Sequence, residues 1–317
     1  MKSRNSAITQ IVLIVSFLIA ASSCVNSEKT TNSSAEAIST LPQQNIQPNT
    51  PRQGPYLGEQ PPGAEPQRFG SGFISGQFHS TPTFSPDSAE VWWAGSFSSG
   101  KIFTSKLTDG TWMEPAVFRL PGNISHMRDP FISPDGQRFY FISMAALPDS
   151  NTGGKENIWM AIRSQDGWTE PVPLPPEINE LTLHWTFSVA ANYDLYFSAE
   201  TGPYNNDIYL SRWANGKYQK AEKLPEPLNS GINEYTPNIA PDESYILFSR
   251  FEGNSDTPRL YISYASTTGW SEPVLVENIP YCLSPIISPD RKYLFFMSSA
   301  SSFAWRDSAF IAELRGN

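Results

Sequence analysis

The chain has 317 residues, with 22 Lys and Arg against 31 Asp and Glu, and its formal net charge of −9 excludes the basic face of a nucleic-acid binder. Charged residues reach 17% and aromatics 13%, the reverse of a disordered chain, so most of the sequence must fold. Its 28 Pro and 20 Gly demand many turns, which suits short strands and an all-β fold better than long helices.

At the N-terminus, Lys2 and Arg4 precede an apolar stretch from Ile8 to Ala21. It is shorter than the ~20 residues of a membrane span and ends in small residues, so residues 1–23 read as a secretory signal peptide. The run Ala21-Ser22-Ser23-Cys24 resembles the lipobox of bacterial lipoproteins, in which the cysteine becomes the lipidated first residue of the mature chain. That pattern prefers Leu where Ala21 stands; the alternative is ordinary cleavage near Ser23, leaving Cys24 a plain thiol. Residues 24–55 are rich in Ser, Thr, Asn, Gln and Pro and read as a disordered tether from the lipidated cysteine. The other cysteine, Cys282, lies among Ile279, Tyr281 and Leu283 and reads as a small buried hydrophobe, so no disulfide is expected.

From residue 56 to 317 the sequence repeats itself. Ser85-Pro86-Asp87, Ser133-Pro134-Asp135-Gly136, Ala240-Pro241-Asp242 and Ser288-Pro289-Asp290 mark four units, and Asn192 ends a weaker fifth mark. Each is followed by an apolar run such as Phe139-Tyr140-Phe141 or Tyr293-Leu294-Phe295-Phe296, which reads as a buried strand entered through a tight turn. A third strand follows at Ile102-Phe103-Thr104, Ile158-Trp159-Met160, Ile208-Tyr209-Leu210 and Leu260-Tyr261-Ile262. The outermost strand is marked by Trp112-Met113-Glu114-Pro115, Trp168-Thr169-Glu170-Pro171 and Trp270-Ser271-Glu272-Pro273, since proline is tolerated at an edge. Four strands per unit of ~50 residues is a β-propeller blade, and five blades use the folded segment with nothing left over. The last unit, with its third strand expected at Ala309-Phe310-Ile311-Ala312, lacks a fourth. Gly63-Ala64-Glu65-Pro66-Gln67-Arg68-Phe69 matches the missing pattern, so an N-terminal strand is expected to complete the last blade and close the ring.

The SPDG and WxEP marks resemble the WD40-like repeat family of the TolB type, found in the propeller of the Tol-Pal translocation protein and in many exported bacterial proteins. The resemblance covers nearly all of the chain after the tether, and unit three departs most from it. The family has no single activity, so it implies a fold and leaves the function open.

In a propeller the innermost strands converge on a channel. The residues entering them are His79, Arg128 with Asp129, His184 with Trp185, and Glu234 with Tyr235, an array of polar and aromatic groups suited to a sugar or an anionic polymer. Their structural alternative is to satisfy strand ends and pair with one another, Asp129 or Glu234 against Arg128. The mark aspartates Asp87, Asp135, Asp242 and Asp290 stand one per blade and read as turn formers rather than calcium ligands. No GxSxG, HExxH or paired CxxC occurs, and no metal or cofactor is expected. The sequence therefore points to a monomeric, membrane-tethered envelope propeller that binds a protein or glycan without catalysis and touches the membrane through its lipid only. The competing reading is a glycosidase or lyase using Asp129 and Glu234, although the third carboxylate of five-bladed glycosidases has no counterpart here. Val25 lacks the aspartate that retains many lipoproteins at the inner membrane, so the lipobox resemblance implies the outer membrane or periplasm.

Overall fold

Three of the repeat marks fold back on their own aspartates. Ser85 Oγ donates to Asp87 Oδ1 at 2.5 Å, and the Ala89 N–H reaches the same oxygen at 3.1 Å. Ser133 with Asp135 and Ser288 with Asp290 repeat the hydroxyl contact at 2.5 and 2.6 Å. These bonds close an Asx-type turn and hold the Asp87 carboxyl below its usual range, through the Ser85 hydroxyl first.

In the computed structural model, which describes residues 41–43, 50–74, 80–96, 98–148, 154–202, 205–251, 257–299 and 302–315, the turns join strands of five antiparallel sheets arranged as a five-bladed propeller. The signal-peptide segment and Cys24 lie outside the described residues. No helix among the described residues is long and apolar enough to cross a membrane. Blade 2 shows the plan. Its inner strand Met127–Ile132 pairs with Arg138–Ser143, which pairs with Asn157–Ser164. The outer strand is two short pieces, Gly167–Trp168 and Val172–Pro173, both on Asn157–Ser164, with Thr169-Glu170-Pro171 spanning the gap. Pro171 thus falls where no ladder bond is needed.

The apolar runs are continuous because both faces of each blade are buried, and the period of two deals alternate residues to opposite neighbours. Trp92 packs with Phe139 and Phe141 between blades 1 and 2, whereas Trp93 packs with Phe295 and Trp305 between blades 1 and 5. Phe197 faces blade 2 and Tyr196 faces blade 4 by the same rule. Five such clusters, one at each junction, make up the core.

The N-terminal strand closes the ring as expected. Gln67–Phe69 pairs antiparallel with Ser302–Asp307, placing Phe69 opposite Phe303. Contacts of the folded unit reach back before residue 56: the Arg68 N–H donates to the Pro42 carbonyl, and Trp112 Nε1 donates to the Gly54 carbonyl at 2.8 Å. One expectation is corrected. The third strand of blade 5 is Ser302–Asp307, and Phe310–Arg315 is a short helix. Phe310, Ile311 and Leu314 fall on one helical face against the cluster between blades 4 and 5, and the Asp307 carboxylate accepts the Ala309 N–H at 3.2 Å.

The strap before the closing strand buries a carboxylate. Glu59 Oε1 accepts from Arg52 Nη1 at 3.0 Å and from the Gly70 N–H at 2.9 Å, while Oε2 has no hydrogen-bond partner among the described residues. Burial pushes its pKa from 4.5 up to about 6 against the downward pull of Arg52. The folded state therefore holds a proton that the unfolded chain has lost between those values. This group's contribution to stability is greatest below pH 4.5 and falls as pH rises to about 6. The loss should be ~2 kcal/mol at ~1.4 kcal/mol per pH unit. Denaturant titrations at pH 4.5 and 7 should show this slope in the parent and not in Glu59→Gln.

Candidate functional site

The channel is gathered by a repeated dipeptide on the inner strands: Thr81-Pro82, Asp129-Pro130, Thr236-Pro237 and Ser284-Pro285. Each of the last three sits at a break in strand register, between Arg128 and Phe131, Tyr235 and Asn238, and Leu283 and Ile286. Their φ angles are +48° at Asp129, +51° at Thr236 and +52° at Ser284, in the left-handed region that costs a non-glycine residue about 1–3 kcal/mol. Bonds between blades offset that strain. Thr236 Oγ1 accepts the Ser284 N–H at 3.1 Å, Ser284 Oγ accepts the Thr81 N–H at 3.1 Å, and Thr81 Oγ1 donates to the Ser284 carbonyl at 2.5 Å. The result is a polar girdle across blades 4, 5 and 1, with Asp129 as the carboxylate at the corresponding position of blade 2.

On the side where the inner strands begin, the expected residues are placed as follows. Arg128 and Asp129 are 4% and 2% exposed, and Arg128 Nη1 lies 3.6 Å from Glu156 Oε1. Glu234 has no exposed surface. Its Oε1 accepts from Arg250 Nε at 2.9 Å and Ser230 Oγ at 2.6 Å, and Oε2 has no hydrogen-bond partner among the described residues. Burial pushes its carboxyl above the usual range, although Ser230 and Arg250 pull the other way. The ion pairs thus join Arg128 to Glu156 and Glu234 to Arg250, not Arg128 to Glu234. Tyr235 is half-buried. Its hydroxyl accepts from Asn206 Nδ2 at 2.8 Å and donates to Asn233 Oδ1 at 3.2 Å, with its ring edge-on to Phe251. His184 and Trp185 lie on the inner strand Leu183–Val189 of blade 3, while their side chains and all of His79 fall outside the described residues. No group of three or more His, Cys, Asp or Glu is disposed to hold a metal among the described residues.

Two residues that shape this side escaped the sequence reading. Asn179 Oδ1 accepts the Ile158 N–H at 2.9 Å, and its Nδ2 donates to the carbonyls of Ile158 and Leu174. Asn229 makes the same three bonds to Ile208 and Leu224. Each pins the loop that leads into the next inner strand, toward His184 in one case and Glu234 in the other. The signal was legible as a second repeat, Leu174-Pro175-Pro176-Glu177-Ile178-Asn179 against Leu224-Pro225-Glu226-Pro227-Leu228-Asn229. Both asparagines are at most 4% exposed, and the Ile158 carbonyl also accepts the Leu174 N–H at 2.8 Å, so Asn179→Ala strands two buried backbone groups, the Ile158 N–H and the Leu174 carbonyl. A destabilisation of about 1–3 kcal/mol is expected by denaturant midpoint, and Asn229→Ala should match it.

On the side of the turn marks, the channel opens into a cavity of about 380 Å³. Pro86, Pro134, Pro241 and Pro289 rim it, with Phe131 and Ile286 in its wall and Val189 contributed by blade 3. Arg128, Asp129, Glu234 and Tyr235 stand toward the other mouth, where the inner strands begin.

No protein-family model and no curated protein matches the sequence. Among solved structures the chain is similar to TolB from Acinetobacter baumannii, with 17% identity and a TM-score of 0.46 over 71% of this chain and 53% of that one. It is also similar to the gluconolactonase XC5397 from Xanthomonas campestris, with 10% identity and a TM-score of 0.50 over 84% and 96%. A thermostable family-43 glycoside hydrolase aligns with 12% identity and a TM-score of 0.47 over 73% and 88%. The chain spans about half the length of TolB. At these identities the likeness is one of fold.

Proposed function

We propose that this protein is a non-catalytic binding or interaction module of the cell envelope, built on WD40-like repeats and tethered through lipid on Cys24. The observation that carries the reading is the state of Glu234. A general acid or nucleophile has to meet its substrate, and Glu234 has no exposed surface and is ion-paired to Arg250. Asp129, the other carboxylate a glycosidase would draw on, is 2% exposed at the girdle position of blade 2. In this reading Tyr235, His79, His184 and Trp185 form the recognition surface, and Arg128 and Asp129 brace it from beneath. The lipobox and the polar composition of the segment that follows Cys24 support the address, as does the export pattern of residues 1–23.

The test is a glycan-array and polysaccharide-turnover screen on the full chain beside an Asp129→Asn/Glu234→Gln double variant. Binding without turnover, weakened by Tyr235→Ala or Trp185→Ala, is the expected result. Turnover that disappears in the double variant would overturn the proposal and make the protein a carbohydrate-active enzyme.

A further inference from the structure

The cavity at the turn-side mouth is a second site, and its chemistry is unlike that of the mouth just discussed. Thr83, Phe131, Asn238 and Ile286 stand two residues past Thr81, Asp129, Thr236 and Ser284 on their strands, so the layer beyond the polar girdle turns partly apolar. Beyond that layer come the four turn prolines. Asn238 Oδ1 accepts the Ile287 N–H of the next blade at 3.1 Å. Ile286 and Ile287 keep part of their surface exposed to this space, although other apolar side chains of the inner strands are buried. An accessible apolar concavity fed by all five blades is the usual form of a small-molecule site. At ~30 Å³ for each water-sized volume, 380 Å³ takes about a dozen heavy atoms.

The charge at the rim selects among apolar ligands. Among the described residues lining the cavity, Arg291 is the one that carries a charge. Its Nη1 lies 3.0 Å from Asp242 Oδ2, and both side chains are about half exposed. Such a surface pair contributes about 0–1 kcal/mol and leaves the other guanidinium donors available to a further anion. The turn aspartates nearby are not part of the lining. Asp87, Asp135 and Asp290 are bound to their own serine hydroxyls, and Asp135 also accepts from the Tyr193 hydroxyl.

From this arrangement we infer that the turn-side mouth binds an anionic amphiphile, a medium-length hydrocarbon chain bearing a carboxylate. The hydrocarbon lies along Phe131, Ile286 and the prolines, and the carboxylate meets Arg291. The site is independent of the reading given above for the opposite mouth, because it shares no side chain with it.

Titration calorimetry on the full chain with decanoate, decanol and decyltrimethylammonium tests the inference. Decanoate is expected to bind most tightly and the ammonium least. Arg291→Ala should weaken decanoate at least tenfold and leave decanol within twofold, with Arg291→Lys recovering part of the loss. Ile286→Trp, which fills the cavity, should weaken decanoate and decanol together, with near-ultraviolet circular dichroism confirming that the variant is folded. The inference is overturned if none of the three binds the parent chain. It is equally overturned if the ammonium binds as well as decanoate, or if Arg291→Ala leaves the carboxylate affinity unchanged.

Discussion

Tyr56→Ala is expected to destabilise the protein by about 3–5 kcal/mol, the range for deleting a large buried aromatic side chain. Tyr56 is 4% exposed and precedes the closing strand by eleven residues. Its ring meets Phe84 at 5.2 Å and Tyr293 at 5.3 Å, both edge-on, and Phe295 at 5.6 Å. It therefore wedges the junction between the first blade and the last. The backbone there is left-handed at two successive non-glycine residues, φ +48° at Tyr56 and +60° at Leu57, a conformation that only packing sustains. Removing the ring takes away a junction and the support for that strain together. Hydrogen exchange should rise first in Ser302–Asp307 and Gln67–Phe69, with the inner strand of blade 2 protected to the global limit. Uniform loss of protection would show that the junction is no weaker than the rest of the ring.

The second large effect concerns the ion pair inside blade 4. Glu234 and Arg250 are direct cross-strand partners, with side chains 0% and 10% exposed. Arg250 also donates to the Leu228 carbonyl at 2.9 Å and stacks 4.8 Å from the Tyr261 centroid. Arg250→Met leaves Glu234 buried and uncompensated, so a loss of about 3–5 kcal/mol at neutral pH is expected. The carboxyl, already raised by burial, then rises further, and much of the loss should be recovered on acidification as Glu234 takes up a proton. Adding Glu234→Leu to Arg250→Met should recover most of the loss at pH 7, because a well-packed apolar pair replaces the ion pair at little cost. A double variant as unstable as the single would mean that the contacts of Arg250 to Leu228 and Tyr261 dominate.

The blades were legible in the sequence because their physics is local and repeated. A serine two residues before an aspartate closes its own turn, and a strand buried on both faces must be apolar throughout. The partners of the candidate residues were not legible, because they are set by register. Glu234 meets Arg250 sixteen positions away only once the two strands pair with a bulge after Tyr235. The girdle lay in plain view as four Thr/Asp/Ser-Pro dipeptides, yet its inter-blade bonds depend on left-handed backbone that composition does not announce. At the C-terminus, Ala309-Phe310-Ile311-Ala312 fits a strand as well as a helix over four residues, and Leu314 decides the period only when the next turn is counted. The turn-side cavity was missed because no single blade holds it; each supplies a proline or an aliphatic edge that looks like ordinary core.

The pairing of Phe69 with Phe303 also orders events in time. The strand synthesised first is the one used last, since its partner leaves the ribosome more than two hundred residues later. Early blades can form hairpins as they emerge, but the circle has no seam to fasten until Asp307 is available. A growing chain is thereby kept from completing its fold until the last blade has been made. Any product that terminates before the third strand of the last blade would carry a bare leading edge, open to pairing with another chain and to proteolysis.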